Sequence, residues 1–202
     1  MFAQLRRDVR ALLGPRPSPL ISRPPSPYYP PTSAADSAAR ARTLEIAAVT
    51  RETADAVTLT LRDPSGASIG FVPGQFFTVL VALDDGAPLR RAYSASSSHL
   101  DPSQVTITVK RIAGGRVSSH LVEHAAVGMR LSMLGPSGDF TLAPDAGAER
   151  HVVAIAGGSG ITPIMAITRA VLDVEPRSRV TLLYGNRDAS SIIFAGELDA
   201  LA

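Results

Sequence analysis

Three glycines in the run GGSGITPIM are the first residues whose spacing could do chemistry. Gly157, Gly158 and Gly160 leave no side chain between the backbone and a ligand, and they follow a buried apolar strand pattern. Thr162 as an N-cap and Pro163 in the first turn predict that a helix begins here. Backbone N–H groups and the positive end of a helix dipole suit a pyrophosphate. The run favours a nucleotide site, although Pro163 replaces the third glycine of the dinucleotide fingerprint and an ordinary strand-to-helix turn could use the same glycines.

A second candidate group is Arg91, Tyr93 and Ser94 on a predicted strand. Strand alternation places Arg91 and Tyr93 on one face. A guanidinium forms paired hydrogen bonds with phosphate oxygens, and a tyrosine ring offers a flat apolar face to an aromatic ligand. The alternative is a strand edge with a surface arginine and a half-buried tyrosine. Downstream, GGRVSSHL at residues 114–121 is another glycine turn before a predicted helix, and it indicates a second anion site.

The pattern H-x-x-E-H offers a competing chemistry at His120, Glu123 and His124. Two histidines four residues apart share a helix face and can bind zinc, with the glutamate as general base and Glu197 as a third ligand. The predicted helix is short and begins at the glycine turn, and the surrounding strand pattern does not suit such a protease. We therefore keep a zinc hydrolase as the minor alternative and predict no metal site.

Strand periodicity begins at residue 43 and recurs in short alternating runs separated by turn sequences. The six runs lie at residues 43–50, 55–62, 75–82, 89–96, 104–111 and 129–134. One predicted helix interrupts them, around residues 117–126. Six short strands at this spacing predict a closed antiparallel barrel.

The pattern changes in the last quarter of the chain. Apolar strand runs at residues 151–157 and 179–185 alternate with helix patterns at residues 163–173 and 190–201. The order β-α-β-α is that of the opening of a parallel α/β sheet. The boundary between the two predicted domains falls in PDAGAE, near residues 145–149.

Composition narrows the function classes. Apolar residues make up 45% of the 202 residues, which is enough to bury a core. Cysteine is absent, so this chain supplies no disulfide, thiolate zinc site, cysteine nucleophile or ligand to an iron–sulfur cluster. No apolar run approaches the roughly 18 residues that a membrane-spanning helix needs. The sequence therefore predicts a folded protein without a membrane span.

The charge is divided unevenly along the chain. Residues 1–42 carry seven Arg and two Asp, a net charge of +5, and the remainder carries 13 basic and 16 acidic groups, a net charge of −3. A mildly acidic body argues against a nucleic-acid partner. Eight prolines between Pro15 and Pro31 predict a flexible, extended tail after a short amphipathic helix at residues 1–13. An organellar transit peptide is the alternative interpretation of the basic start.

Taken in order, the motifs resemble those of the ferredoxin–NADP(+) reductase superfamily. They are most similar to the flavin reductases that serve bacterial oxygenases and carry a plant-type ferredoxin domain. The matching segments are FVPGQF (71–76), RAYS (91–94), VKRIAGGRVSSHL (109–121), GPSGDF (135–140), GGSGITPIM (157–165) and LLYGNRDASSIIFAGEL (182–198). Each segment is weakly specific alone, but six in family order over residues 43–202 are a specific match.

The resemblance implies a β barrel plus α/β organisation in two domains, a six-stranded antiparallel FAD-binding barrel (43–147) and an incomplete parallel α/β NAD(P)-binding domain (148–202). The basic, proline-rich flexible tail (1–42) that the composition predicts lies outside the resemblance. The family's later Cys-Gly-Pro turn and its [2Fe–2S] ferredoxin domain have no counterpart in these residues. We therefore expect either a fragment or a truncated gene.

The resemblance also implies roles for residues of the barrel. Arg91 would pair with a flavin phosphate, Tyr93 would lie against the isoalloxazine ring, and Ser94 would sit at its N5 edge, which makes Tyr93 and Ser94 the expected catalytic pair. The other expected FAD-binding residues border the ribityl chain or give backbone N–H groups and a hydroxyl to the pyrophosphate. They are Val109, Lys110, Gly115, Val117 and Ser118.

In the second domain, the three glycines of GGSGITP and Thr162 would meet the nicotinamide dinucleotide. Arg187 ends the second parallel strand, where the adenosine ribose is usually recognised. An arginine there tolerates a 2′-phosphate, whereas an acidic residue selects NADH. Asp188 is adjacent, so both cofactors stay open, with NADPH slightly favoured.

The implied function is an FAD-dependent oxidoreductase that passes electrons from NADPH or NADH through FAD to a ferredoxin, another iron–sulfur protein or an oxygenase component. We expect a cytoplasmic protein. The first alternative is an FAD-binding fragment without turnover, and the second is the zinc hydrolase that would use the HLVEH pattern.

Overall fold

The computed structural model describes residues 41–83 and 88–202. Almost all of the predicted tail lies outside the described residues, as does the turn that the sequence DDG predicts at residues 84–86. The strands are β1 (Arg42–Thr53), β2 (Ala56–Arg62), β3 (Phe76–Val81), β4 (Leu89–Ser94), β5 (Gln104–Lys110), β6 (Arg130–Ser137), β7 (His151–Gly157) and β8 (Arg179–Gly185). The α-helices are α1 (Arg116–His124), α2 (Ile161–Val174) and α3 (Ala195–Leu201), and short 3₁₀ helices lie at Gly158–Gly160 and Ala189–Ser191.

The first six strands form one antiparallel sheet in the order β4-β3-β6-β1-β2-β5. Its two edge strands approach each other just after β4, where an antiparallel bridge joins Ala95 to Ile107 and the Ser96 N–H donates to the Thr106 carbonyl at 2.9 Å. All six predicted strands are present. The predicted closure is only partial, because in the described residues β4 meets β5 by this bridge rather than by a ladder, which leaves most of β4 as an open edge.

The core of this sheet is built from alternate strand positions. Leu44, Ile46, Leu59, Leu61 and Ile107 are almost completely buried there. Helix α1 covers one end of the sheet through its buried apolar residues, which are Val117, Leu121 and Val122. The apolar alternation that predicted the strands is thus also what fixes which face of each strand is buried.

Strands β7 and β8 pair in parallel, in register from His151 with Arg179 to Gly157 with Gly185. Helix α2 connects them and buries most of its residues. This confirms the predicted start of a parallel α/β unit. None of the helices in the described ranges is long and apolar enough to span a membrane.

The start of α2 differs from the prediction. The helix begins at Ile161 after the 3₁₀ turn, so its N-cap is Gly160 and not Thr162. The Thr162 hydroxyl instead donates to the Ser159 carbonyl at 3.1 Å. Pro163 does lie in the first helical turn, where its missing N–H breaks no hydrogen bond.

The predicted helix at residues 190–201 is also wrong as a single element. A 3₁₀ turn closed by an Asp188–Ser191 capping box comes first, and α3 begins only at Ala195. Phe194 has φ 64°, a left-handed backbone that is rare for a bulky residue. The buried Phe194 and Ile193 pack beside Ala56 of β2, so tertiary packing divides the helix.

Candidate functional site

A cleft of about 300 Å³ lies at the carboxyl ends of β7 and β8, beside the last residue of β5. Ligands of open α/β sheets bind at this end of the strands. Both sheets contribute to the lining, which consists of Lys110, Gly158, Gly185, Asn186, Arg187 and Ser191. The cleft therefore joins Lys110, a predicted FAD-binding residue, to Gly158 and Arg187, which were predicted to meet the pyridine nucleotide.

The glycine turn is open on its ligand side. A Cβ placed on Gly157, Gly158 or Gly160 would meet no atom within 4 Å, so packing within the described residues does not explain the lack of side chains. Gly158 has φ 49°, a left-handed conformation that favours glycine. In the first turn of α2, the Ile161 N–H already donates to the Gly158 and Ser159 carbonyls, and Pro163 has no N–H. The turn thus keeps the space that a phosphate group needs beside the start of α2.

Tyr184 holds the glycine turn in place, a role that the sequence did not reveal. Its hydroxyl donates to the Gly158 carbonyl at 2.9 Å and accepts from the Ile193 N–H at 3.3 Å. Burial raises the pKa of the Tyr184 hydroxyl, so the group keeps its proton for the first of these bonds. The scarcity of tyrosine was the only sequence signal, since Tyr93 and Tyr184 are the only two tyrosines after residue 42.

Asp55 carries the charge contacts between the two sheets at this cleft. Its Oδ2 lies 3.8 Å from Lys110 Nζ and 3.6 Å from Arg187 Nη2. Its Oδ1 accepts a hydrogen bond from the Thr53 hydroxyl at 2.7 Å. Sequence reasoning missed Asp55, because nothing local distinguishes an aspartate in a tight turn between two strands.

Arg91, Tyr93 and Ser94 lie together on the open edge strand β4. Arg91 is exposed and donates from Nη1 to the Arg90 carbonyl at 2.7 Å, and Ser94 is half-buried. Tyr93 packs against the barrel core, and burial raises the pKa of its hydroxyl while the Arg91 charge acts in the opposite direction. A guanidinium fork at the surface beside a partly exposed aromatic ring fits an aromatic ligand that carries a phosphate.

The second glycine turn is closed by its own residues. Gly115 donates to the Ile112 carbonyl at 2.8 Å, while the Ser118 hydroxyl accepts from the Ile112 N–H at 3.1 Å and donates to the Gly115 carbonyl at 3.3 Å. A Cβ on Gly115 would lie 2.6 Å from Ser118 Oγ, so only glycine fits. The serine hydroxyl shapes the turn, and the first N–H groups of α1 remain as the candidate phosphate donors.

Two further predicted residues have buried side chains. Val109 and Val117 are both buried in the barrel core. Each could meet a bound molecule only through its backbone. A contact between FAD and the backbone of these two residues therefore stays a prediction.

The residues of the zinc alternative are not assembled into a site. The rings of His120 and His124 lie 5.1 Å apart, but Glu123 forms an ion pair with Arg111 at 3.0 Å. Glu197, the proposed third ligand, forms an ion pair with Arg169 on α2 instead. Over residues 41–83 and 88–202, no group of three or more His, Asp or Glu residues could hold a metal ion.

Family models match both parts of the chain. Residues 43–142 match an oxidoreductase FAD-binding domain, and residues 154–202 match an oxidoreductase NAD-binding domain. The site residues described above therefore lie in segments that these two models cover, with Arg91 and Lys110 in the first and Gly158 and Arg187 in the second.

Curated relatives are components of oxygenase and epoxidase systems. The chain is 44% identical over 153 residues to a 1,2-phenylacetyl-CoA epoxidase component from Escherichia coli, covering 75% of this chain and 42% of that protein. It is 42% identical over 164 residues to the ferredoxin reductase component of 3-ketosteroid-9-alpha-monooxygenase from Mycolicibacterium smegmatis, covering 79% and 45%. The chain thus spans less than half the length of these relatives.

Solved structures share the fold. Phthalate dioxygenase reductase, described as a modular structure for electron transfer from pyridine nucleotides to [2Fe–2S], superposes with a TM-score of 0.68 at 31% identity, covering 78% of this chain and 47% of that one. The FAD/NAD-binding domain of nitric oxide dioxygenase from Vibrio cholerae gives a TM-score of 0.73 at 29% identity, covering 79% and 68%.

Proposed function

Because the chain belongs to the ferredoxin reductase superfamily, we propose that it binds FAD and NAD(P)H and passes electrons from the pyridine nucleotide to an iron–sulfur protein or oxygenase component. These 202 residues include no cysteine, so none of them supplies a thiolate ligand to a cluster. We propose a cytoplasmic location, where the NAD(P)H pool is available.

The observation that carries this proposal is the cleft shared by the two sheets. Lys110 reaches it from the FAD-binding segment, and Gly158 reaches it from the NAD-binding segment. A reductase of this kind must hold two nucleotides side by side, because hydride transfer needs the reacting atoms about 3–3.5 Å apart. A cleft lined by residues of both segments supports this arrangement.

The residues of the barrel edge fit FAD by their chemistry. Arg91 offers a guanidinium to a phosphate, Tyr93 offers a flat ring to the flavin, and Ser94 offers a hydroxyl that can donate or accept. When bound, FAD accepts two electrons at once and releases them singly. The chain's own part is to bind the cofactor, orient its ring and keep the ring face out of bulk water.

The residues at the end of β8 favour NADPH over NADH. Arg187 is largely exposed at the cleft and can reach a 2′-phosphate. The neighbouring Asp188 carboxylate accepts from the Ser190 hydroxyl at 2.7 Å and closes the 3₁₀ turn. A carboxylate engaged in this turn is poorly placed to hydrogen-bond a ribose 2′-hydroxyl, so Arg187 is the proposed determinant of the choice.

The test uses the full chain reconstituted with FAD. We expect a flavin absorption spectrum after gel filtration, and bleaching of that spectrum when NADPH is mixed in without oxygen. Bleaching with NADPH at a lower concentration than with NADH would support the role of Arg187. Retention of FAD without bleaching by either nucleotide would favour the binding fragment without turnover, and failure to retain FAD would contradict the proposal.

A further inference from the structure

We infer that Asp55 sets how tightly the cleft holds a phosphate-bearing nucleotide, because its carboxylate competes with that phosphate for Lys110 and Arg187. Both cations line the cleft, and both lie within 4 Å of the same oxygen, Asp55 Oδ2. The inference rests on the nucleotide-binding role proposed above. Asp55 belongs to the FAD-binding segment, yet it would help to determine which nucleotide the NAD-binding segment prefers.

The Asp55 carboxylate is fixed where it stands. The Thr53 hydroxyl donates to Oδ1, the Asp55 N–H donates to the Thr53 hydroxyl at 3.3 Å, and the Asp55 carbonyl accepts from the Arg111 N–H at 2.7 Å. Thr53 and Ala56 pair across the turn that carries Asp55. Two local hydrogen bonds with Thr53 and one long-range bond from Arg111 therefore hold Oδ1 and the backbone, which leaves Oδ2 facing the two cations.

The two cations differ in how firmly they are held. The Lys110 side chain is only 16% exposed, so its charge needs a nearby counter-ion. The Arg187 side chain is 76% exposed, and such a surface pair contributes little to stability. A phosphate in the cleft can bind Arg187 in place of Asp55, because little stability is lost with that exposed ion pair. The phosphate must share Lys110 with the Asp55 carboxylate, and the two negative charges repel each other.

A role for Asp55 in stability alone does not explain its contact with Arg187. A contact that only joined the two sheets would gain little from the exposed Arg187. The two cations that line the cleft form a donor set for a phosphate ester, and Asp55 is the group that weakens it.

The test measures binding of inorganic pyrophosphate, NADPH and NADH to the full chain by isothermal titration at low salt. We expect Asp55→Asn to tighten pyrophosphate and NADPH by about fivefold to thirtyfold, and NADH by less, with the gain shrinking as salt screens the charges. Asp63→Asn is the matched control, since Asp63 pairs with Arg42 at 2.7 Å and does not line the cleft. Asp55→Ser is the second variant if Asp55→Asn does not fold.

The double variant Asp55→Asn with Arg187→Ala should lose most of the gain. If folded Asp55→Asn and Asp55→Ser both bind pyrophosphate no more tightly than wild type, the inference is overturned, while NADPH binding by wild type would leave the proposed function standing. If the Asp55 variants tighten pyrophosphate but no form binds NADPH or NADH, competition for the two cations is supported, but the nucleotide role in this inference and the proposed function are both contradicted.

Discussion

The backbone N–H of Phe194 donates a hydrogen bond to Glu52 Oε2 at 3.1 Å, across 142 positions of the chain. The other oxygen, Glu52 Oε1, accepts from the Thr58 hydroxyl at 2.6 Å. One carboxylate at the end of β1 thus holds the left-handed residue that precedes α3. The strained backbone of Phe194 persists because the barrel supplies an acceptor and Ala56 supplies a packing surface.

Replacing Glu52 with Ala should therefore destabilise the β7–β8 sheet more than the six-stranded sheet. The variant leaves the Phe194 N–H and the Thr58 hydroxyl without this acceptor. We therefore expect the free energy of unfolding, measured in urea, to fall by about 1–3 kcal/mol. Glu45→Ala is the control, because Glu45 makes an exposed pair with Arg130 and should change stability by less than about 0.5 kcal/mol. Equal urea midpoints for the two variants would contradict the role of Glu52.

The buried Glu175 gives the fold a defined acid sensitivity. Its carboxylate pairs with Arg150 and accepts from the Asp145 N–H at 3.1 Å, and these bonds, the Arg150 bond first, lower its pKa from 4.5 to about 2. Because the folded pKa is the lower one, the stabilisation is complete above pH 4.5 and is lost as the pH falls towards 2. We expect a contribution of about 1–3 kcal/mol, reduced by the partial exposure of Arg150.

The measurement is urea unfolding at several pH values between 3 and 7. Glu175→Gln should be less stable than wild type by roughly 2–4 kcal/mol at pH 7, since it leaves Arg150 without its partner, and should depend less steeply on pH below 4.5. Glu149→Gln is the control, because Glu149 forms only an exposed pair with Arg177 at 3.7 Å. If the free energy of unfolding of Glu175→Gln depended on pH as steeply as that of wild type, other groups would cause the acid sensitivity.

Arg91→Ala should weaken FAD by roughly 1.5–3 kcal/mol, since it removes one charge-assisted contact with a phosphate. Tyr93→Ala should also weaken FAD and leave its ring more exposed to solvent. Arg90→Ala is a close control, because Arg90 contributes only its backbone carbonyl to Arg91. Fluorescence titration with FAD gives the affinities, and variants of Arg91 and Tyr93 that bind like wild type would remove the barrel edge from the FAD site.

Local pattern predicted most of the fold, and long-range contacts decided the rest. The strand runs and the glycine turn at Gly158 are periodic or local signals, so they could be read from neighbouring residues. The break before α3 could not, because it depends on Glu52 and Ala56 from the other sheet. Asp55 could not be predicted for the same reason, because its role depends on contacts with Lys110 and Arg187, which are distant in sequence.

A side chain at Gly160 should distinguish the pyridine nucleotide site from the FAD site. This residue has φ −63° and no atom within 4 Å of an added Cβ, so Gly160→Val should fold without a steric clash. In contrast, Gly158 has a left-handed backbone, and a side chain there would add strain. The new side chain at position 160 would occupy the space that the phosphates need at the start of α2. We expect NADPH binding to fall by about tenfold or more, while FAD affinity and the melting temperature stay near wild type.

Gly196→Val is the matched control for this experiment, because Gly196 also has open space around an added Cβ but lies in α3, outside the cleft. Titration of both variants with FAD and then with NADPH provides the comparison. If Gly160→Val lost FAD and kept NADPH, the assignments of the two sites would have to be exchanged, because the glycine turn would then serve the flavin. If it lost neither, the open space beside Gly160 would not be where the pyridine nucleotide approaches the backbone.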